Sequence, residues 1–326
     1  MLLTKKLLAI LTIFMTLIFF ILFLQLPESI VGERGDNFLL FAPKILFLGM
    51  TVAIALSFSL ILIFKREFIQ WQTVSINKYK NLLWLLIKRD FYSKYRKSIL
   101  GVLWSLLNPL LMMLIMTAVF SQLFRFDIPN FPIYFLSGRL VYDFFTESTT
   151  MAMNSVISGE GIIKKIYIPK YVFPVSRVFS SLVNMFFFLI AYFFVTIITG
   201  APFYWTMLLL PIPIFYIFVF SMGVAMLLSA MSVFFRDLTY LYGVFTLMLF
   251  FATPIIYPVE ILPEWLMPII GLNPLFQFIE YVRSLTLHGV VPDLWSNFVC
   301  IGFALSSICI GVYVFMTRQD RFILNL

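Results

Sequence analysis

The sequence predicts an all-α polytopic membrane protein, and three observations predict it: an extreme apolar composition, uncharged runs of spanning length, and a segregation of basic residues. Of 326 residues, 62% are hydrophobic and 12% charged, with a mean hydropathy of +1.02. Soluble domains hold roughly 45–50% apolar and about 25% charged residues, so a water-soluble core cannot hide this much apolar surface. A helix needs about 20 apolar residues to cross roughly 30 Å of hydrocarbon. Seven runs free of Asp, Glu, Lys and Arg reach that length: residues 7–26, 45–64, 98–124, 178–199, 203–235, 238–257 and 294–316. An eighth, 131–157, is as long but carries Arg139, Asp143 and Glu147. Their spacing of four puts them on one helical stripe, so it is predicted as a span with a polar face.

The charges orient these eight spans. With the N-terminus inside, one face holds Lys5, Lys6, the basic residues between Lys65 and Lys97, those between Lys164 and Arg177, Arg236, Arg318 and Arg321, which is 18 of the 23 in the chain. The other holds Arg34, Lys44, Arg125, Arg139 and Arg283, with 10 of the 15 acidic residues. Lys and Arg collect on the cytoplasmic side, so both termini are predicted to be cytoplasmic. The net charge of +8 then serves orientation and contact with anionic membrane lipids, not nucleic acid.

Residues 1–64 read as a self-contained transmembrane hairpin. The run 7–26 exceeds the about 7 to 15 residue core of a secretory signal and no small-x-small cleavage site precedes Pro27, so a retained anchor is predicted. Cys300 and Cys309 fall inside the last run and His288 is the single histidine. From these no disulfide framework or Cys/His metal site can be built.

Between the spans, three segments carry pattern. Residues 65–97 are basic but interleaved with Trp84, Leu86, Ile87, Phe91, Tyr92 and other apolar residues at helical intervals, which suits a linker and an amphipathic helix in the cytoplasmic interface. Residues 159–177 hold Gly159, Gly161, Pro169 and Pro174 around about two turns of amphipathic helix, a docking element or a plain connector. Residues 259–291 are apolar yet cut by Pro263, Pro268 and Pro274, which predicts short re-entrant helices covered by protein or facing a cavity.

Five blocks in this order resemble the permease subunit of ABC exporters of the ABC-2 type, in particular exporters of lipid-linked polysaccharide such as O-antigen, capsule and teichoic acid. They are LLWLLIKRDFYSKYRKSILGVLWSLLNPLLM (82–112), GEGIIKKIYIPKYVFP (159–174), SVFFRDL (232–238), TPIIYP (253–258) and NPLFQFIEYVRSL (273–285). The resemblance implies a six-span ABC-2 type domain over 98–326, to which the hairpin at 1–64 is an addition, in the cytoplasmic membrane of a bacterium or archaeon. It also implies a homodimer working with two copies of an ATP-binding cassette subunit that bind ATP and Mg. The chain itself has no G-x-x-x-x-G-K-[ST] phosphate loop and no stretch outside the spans long enough for a nucleotide-binding domain, so no cofactor is expected in it.

Carried onto this chain, the coupling helix that meets the ATPase falls at about 161–169, with Glu160, Gly161, Ile162, Ile163, Lys164, Lys165, Ile166, Tyr167 and Pro169 as its residues. The interfacial helix falls at 81–97, and the re-entrant gate at about 259–290, with Asn273, Pro274, Glu280 and Arg283. Lys88, Arg89, Lys94 and Arg96 suit admission of an anionic lipid diphosphate, because ammonium and guanidinium groups make charge-assisted bonds to phosphate oxygens. They suit headgroup anchoring equally. Arg139, Asp143 and Glu147 are candidate pathway-lining groups, since ionisable side chains in spans face a bundle interior or a water-filled cavity. Tyr142, Phe144 and Phe145 offer apolar faces for sugar rings on the same helix, against the alternative of lipid-facing aromatics.

Three other functions compete with this reading. An ABC-2 exporter of another amphiphile, a lipid or drug, shares every feature above. A membrane-embedded glycosyltransferase needs an acidic metal cluster or an acid/base pair, and Glu260, Glu264 and Asp293 are scattered among prolines. An ion-coupled transporter fits poorly with one charged stripe.

Overall fold

The computed structural model describes residues 66–96, 98–123, 128–165 and 168–322. The hairpin predicted over 1–64, both chain ends, and Ile166 and Tyr167 of the predicted coupling helix lie outside them. The chain divides into two compact units, Met1–Asn77 and Lys78–Leu326. The described part of the first is the opening of α1 (Arg66–Tyr95). The helix predicted at 81–97 therefore begins fifteen residues earlier and stops at Tyr95; with neither Gly nor Pro between Arg66 and Tyr95, nothing in the sequence breaks it sooner.

The second unit is a helical bundle. After a turn at Gly101, α2 (Leu103–Thr117) runs into a π-helical end, Ala118–Leu123. Asn130 in the left-handed region and Pro132 in the first turn start α3 (Phe131–Met153), the charged-stripe helix. Two single turns, α4 (Ser155–Ser158) and α5 (Glu160–Ile163), lead to α6 (Val172–Ile198). A 3-10 turn, Trp205–Leu209, precedes α7 (Pro211–Ser232), and α8 (Leu238–Ala252) follows. Then come α9 (Met267–Gly271), α10 (Pro274–Thr286) and α11 (Leu294–Arg318). Among the described residues there is no strand.

Four stretches are long and apolar enough to cross a membrane: Leu103–Phe120, Val172–Ile198, Trp205–Ser232 and Leu294–Arg321. α3, with 23 residues, has the length at about 35 Å but bears the three charges. The predicted span 238–257 is different. Its helix ends at Ala252 after 15 residues, about 22 Å, and Thr253 is extended (φ −105°, ψ 131°). Pro254 explains the break, since a proline disfavours helical backbone in the residue before it and offers no N–H to continue the helix. Thr253, Ile255 and Ile256 then run buried through the bundle.

Prolines act differently at the other loop. Pro174 lies inside the first turn of α6, where a proline lacks no bond it would otherwise make. The helix predicted at 161–169 is instead one turn, α5, followed by a turn at Lys164 and Lys165, while Ile168 and Pro169 are not helical. Gly159 is required between α4 and α5, because a Cβ there would lie 2.6 Å from the Phe173 ring. Beneath this loop Leu86, Val156, Ile163, Tyr171, Phe173, Met226, Phe315 and Phe322 form a buried apolar cluster joining α1, α4, α5, α6, α7 and α11. Lys170 Nζ also donates to the Gln319 carbonyl at 2.6 Å, tying the loop to the end of the last helix. Burial pulls the Lys170 ammonium below the ordinary lysine range, with Asp320 opposing.

α7 and α11 make the tightest seam. A Cβ on Gly311 would fall 2.0 Å from the Gly223 carbonyl oxygen, and one on Gly223 2.2 Å from the Ser307 carbonyl carbon. Ser307 Oγ donates across to the Phe220 carbonyl at 2.7 Å. Small residues at a crossing let backbones touch, the usual means of holding helices together where lipid provides no hydrophobic drive.

Candidate functional site

Beside α3 the bundle leaves an open space. α2, α3 and α6, with Lys94 from α1, border a partly open cavity of about 620 Å³. Its polar lining comes from Lys94, Asn108, Arg139, Asp143, Glu147 and Asn184, and its apolar lining includes Trp104, Phe144 and Phe188. Periodicity explains the gathering: residues 139, 143 and 147 occupy one stripe of α3. That stripe faces the cavity.

The charges are arranged in two pairs. Deeper along α3, Arg139 Nη2 lies 3.0 Å from Asp143 Oδ2, with the guanidinium 5.7 Å from the Phe250 ring centroid. At the other end of the stripe, Lys94 Nζ donates to Glu147 Oε1 at 2.7 Å, and Asn184 Nδ2 donates to the same oxygen at 2.7 Å. Glu147 thus gathers α1, α3 and α6 at one point. The eight residues between Arg139 and Glu147 separate the pairs by about 12 Å along the axis.

The other basic residues singled out in α1 do not line this cavity. Lys88 is exposed, its Nζ 5.8 Å from the Tyr92 ring centroid. Arg89 is exposed and pairs with its neighbour Asp90 at 3.3 Å, and Arg96 is exposed. Tyr142 also departs from its predicted place: its hydroxyl donates to the Thr246 carbonyl at 2.8 Å and its ring packs on Phe250, so it faces α8. It lies 100° around the helix from Asp143, enough to turn it away from the cavity. Of the three aromatics beside the stripe only Phe144 reaches the lining, since Phe145 packs on Phe220.

Three residues of this region escaped the sequence reading. Asp90 is 3% exposed in its side chain and pairs with Arg177 at 2.8 Å. Ser180 Oγ lies 3.5 Å from the same carboxylate. Asn184 completes the Glu147 junction. The signals were present: Asp90 is the one acid amid the basic residues of 78–97, and Asn184 interrupts the apolar run 178–199.

At the loop, Ile163 of the predicted coupling helix is buried and Ile162 half-buried, while Gly161, Lys164 and Lys165 are exposed. Lys164 Nζ binds Glu160 Oε1 at 2.6 Å, and the Cβ direction of Gly161 meets open space. The segment 259–290 is a chain of short helices. Asn273 accepts from the Leu275 amide to cap α10 and donates to Thr253 Oγ1 at 2.7 Å, with Pro274 opening the helix. Arg283 is 1% exposed, its Nη1 2.9 Å from Glu280 Oε1 and its guanidinium 3.6 Å from the Tyr134 ring centroid. These four residues sit in the joint between α10, α3 and segment 253–257. Among the described residues no cluster of His, Cys, Asp and Glu is placed to hold a metal ion.

Long apolar helices around a charged cavity define a multi-pass membrane protein. The profile of the family described as ABC-2 type transporter matches residues 81–287, and the chain belongs to that family. Its relatives include the O-antigen export system permease protein RfbA of Klebsiella pneumoniae, 31% identical over 252 residues, 74% of this chain and 93% of that protein. The protein of the same name from Myxococcus xanthus is 26% identical over 75% of this chain and 95% of its own length. The polysialic acid transport protein KpsM of Escherichia coli is 22% identical over 72% of this chain and 92% of its own.

Proposed function

We propose that this chain is the transmembrane permease of an ATP-driven exporter that moves a lipid-linked polysaccharide across the cytoplasmic membrane. The observation that carries the reading is the cavity between α2, α3 and α6, a charged and aromatic space inside an otherwise apolar bundle, in a chain whose relatives are named for O-antigen export and polysialic acid transport. Ionisable groups are costly at membrane depth and persist where they serve a path or a cavity. Asn, Ser and carboxylate groups can hydrogen-bond sugar hydroxyls, while Trp104 and Phe144 offer faces to sugar rings.

The volume bears on assembly. About 620 Å³ suits a drug-sized ligand, not a long glycan. Passage of a polymer then requires the walls to part or a second copy to complete the path, which supports a pair of permeases. The motive force comes from two copies of a separate ATP-binding subunit that hold ATP and Mg, docked at the loop around Gly161 on the cytoplasmic side, where the basic segments lie. The buried cluster under that loop, reaching from Leu86 to Phe322, gives a docked subunit mechanical purchase on α1, α6, α7 and α11. The joint at Asn273, Pro274, Glu280 and Arg283 serves as the outer gate.

Cells lacking the chain test the reading. Loss of surface polysaccharide with lipid-linked glycan accumulating inside is expected; normal surface polysaccharide overturns it in favour of another exported amphiphile.

A further inference from the structure

Two ion pairs four residues apart on α1 differ in kind. Asp90 is sealed, with a side-chain exposure of 3%, and receives Arg177, Arg89 and the Ser180 contact. Lys94 is 46% exposed and Glu147 28%, and both border the cavity. A buried pair resists separation because parting it strands a charge away from water. A half-exposed pair separates readily, since water and competing ions reach both partners.

Asn184 makes release easier on the Glu147 side. Its amide donates to the same Glu147 oxygen that Lys94 binds, so the carboxylate keeps a donor when the ammonium leaves. Lys94 borders the cavity with its ammonium half exposed, and an anionic phosphate oxygen there is a charge-assisted acceptor that competes with Glu147 for it. Deeper inside, Arg139 and Asp143 lie within their own turn of α3 and do not bridge helices. Glu147 is therefore the junction whose release frees the end of α1 from α3.

We propose that Lys94 and Glu147 form an ionic latch across the mouth of the cavity, opened when the diphosphate group of a lipid replaces Glu147 as the partner of Lys94, while Asp90 and Arg177 hold α1 as the hinge. The proposal rests on the reading of the chain as an exporter of lipid-linked glycan. It narrows the four candidate cations of α1 to one, and it assigns Glu147 as a competitor of the substrate.

That competition fixes the sign of the test. The full chain with its ATP-binding subunit is placed in nanodiscs of zwitterionic phosphatidylcholine, and binding of farnesyl diphosphate is titrated, with farnesol and inorganic diphosphate as controls. Glu147→Gln removes the competitor and is expected to tighten farnesyl diphosphate binding about two- to fivefold, the size of one exposed ion pair. Lys94→Gln is expected to weaken it about tenfold or more, and Lys94→Arg to restore most of it. Tightening by Glu147→Gln for inorganic diphosphate as well assigns the exchange to the headgroup alone; tightening confined to the prenylated compound assigns it to the lipid. Co-elution of each variant with the subunit shows that it is folded. Unchanged or weaker binding in folded Glu147→Gln overturns the latch, as does the absence of diphosphate binding in the wild type. Neither result touches the cell assay, so loss of surface polysaccharide with a failed latch leaves the exporter reading standing.

Discussion

The α7–α11 seam and the cavity beside α3 are built on opposite rules. At the seam small residues bring backbones into contact, and Gly223 meets Gly311 with no room for a Cβ. At the cavity α3 packs along α6 but leaves a space toward α2, and the contacts that meet at Glu147 are an ion pair and an amide hydrogen bond. A backbone-to-backbone contact has no side chain to exchange, whereas a half-exposed ion pair can change partners. A pathway that must admit a large amphiphile belongs on the side whose bridging contacts can be exchanged.

Substitutions can break or sharpen this contrast. The largest effect is expected at the seam: Gly311→Leu drives a side chain into the Gly223 carbonyl and should cost on the order of 4 kcal/mol, seen as loss of monodisperse protein after solubilisation. On the cavity side, Asp90→Ala strands Arg177. Because Arg177 keeps 20% side-chain exposure, the cost is about 1–3 kcal/mol, read as a lowered melting temperature of the purified protein. Tyr142→Phe removes only the bond to the Thr246 carbonyl between α3 and α8 and should cost about 1 kcal/mol by the same measurement. Gly161→Trp lies on neither side and points into open space. It is expected to change stability by less than about 0.5 kcal/mol yet abolish co-purification with the ATP-binding subunit. Retained assembly would remove the loop from the docking surface. Ile163 is unsuited to that experiment, since it is buried in the cluster beneath the loop.

Much of this was legible before any coordinates. Uncharged runs of spanning length identify helices because lipid leaves the backbone no other partner, and the interval of four among Arg139, Asp143 and Glu147 identifies a common stripe. Direction was harder: whether Tyr142 joins the stripe or packs on α8 depends on 100° of rotation and on which neighbour is near. Proline was ambiguous for a similar reason. Pro174 is harmless in a first turn while Pro254 ends a helix, and only the position of the helix start distinguishes them. Partners far apart in sequence, such as Asp90 with Arg177 or Arg283 with Tyr134, carry no local period at all. The buried state of Arg283 could not be inferred from a charge that sequence reading places on the outer face.

The central claim is that the cavity is the transport path, and Thr150 offers a direct test. It borders the cavity from α3 and is exposed, whereas Cys300 and Cys309 are buried and give little background. A Thr150→Cys variant, assembled with a hydrolysis-deficient ATP-binding subunit in cells that accumulate the lipid-linked glycan, is labelled with a small hydrophilic maleimide. Occupation of the path predicts labelling several-fold slower than in cells that make no glycan; equal rates with and without the glycan would contradict it.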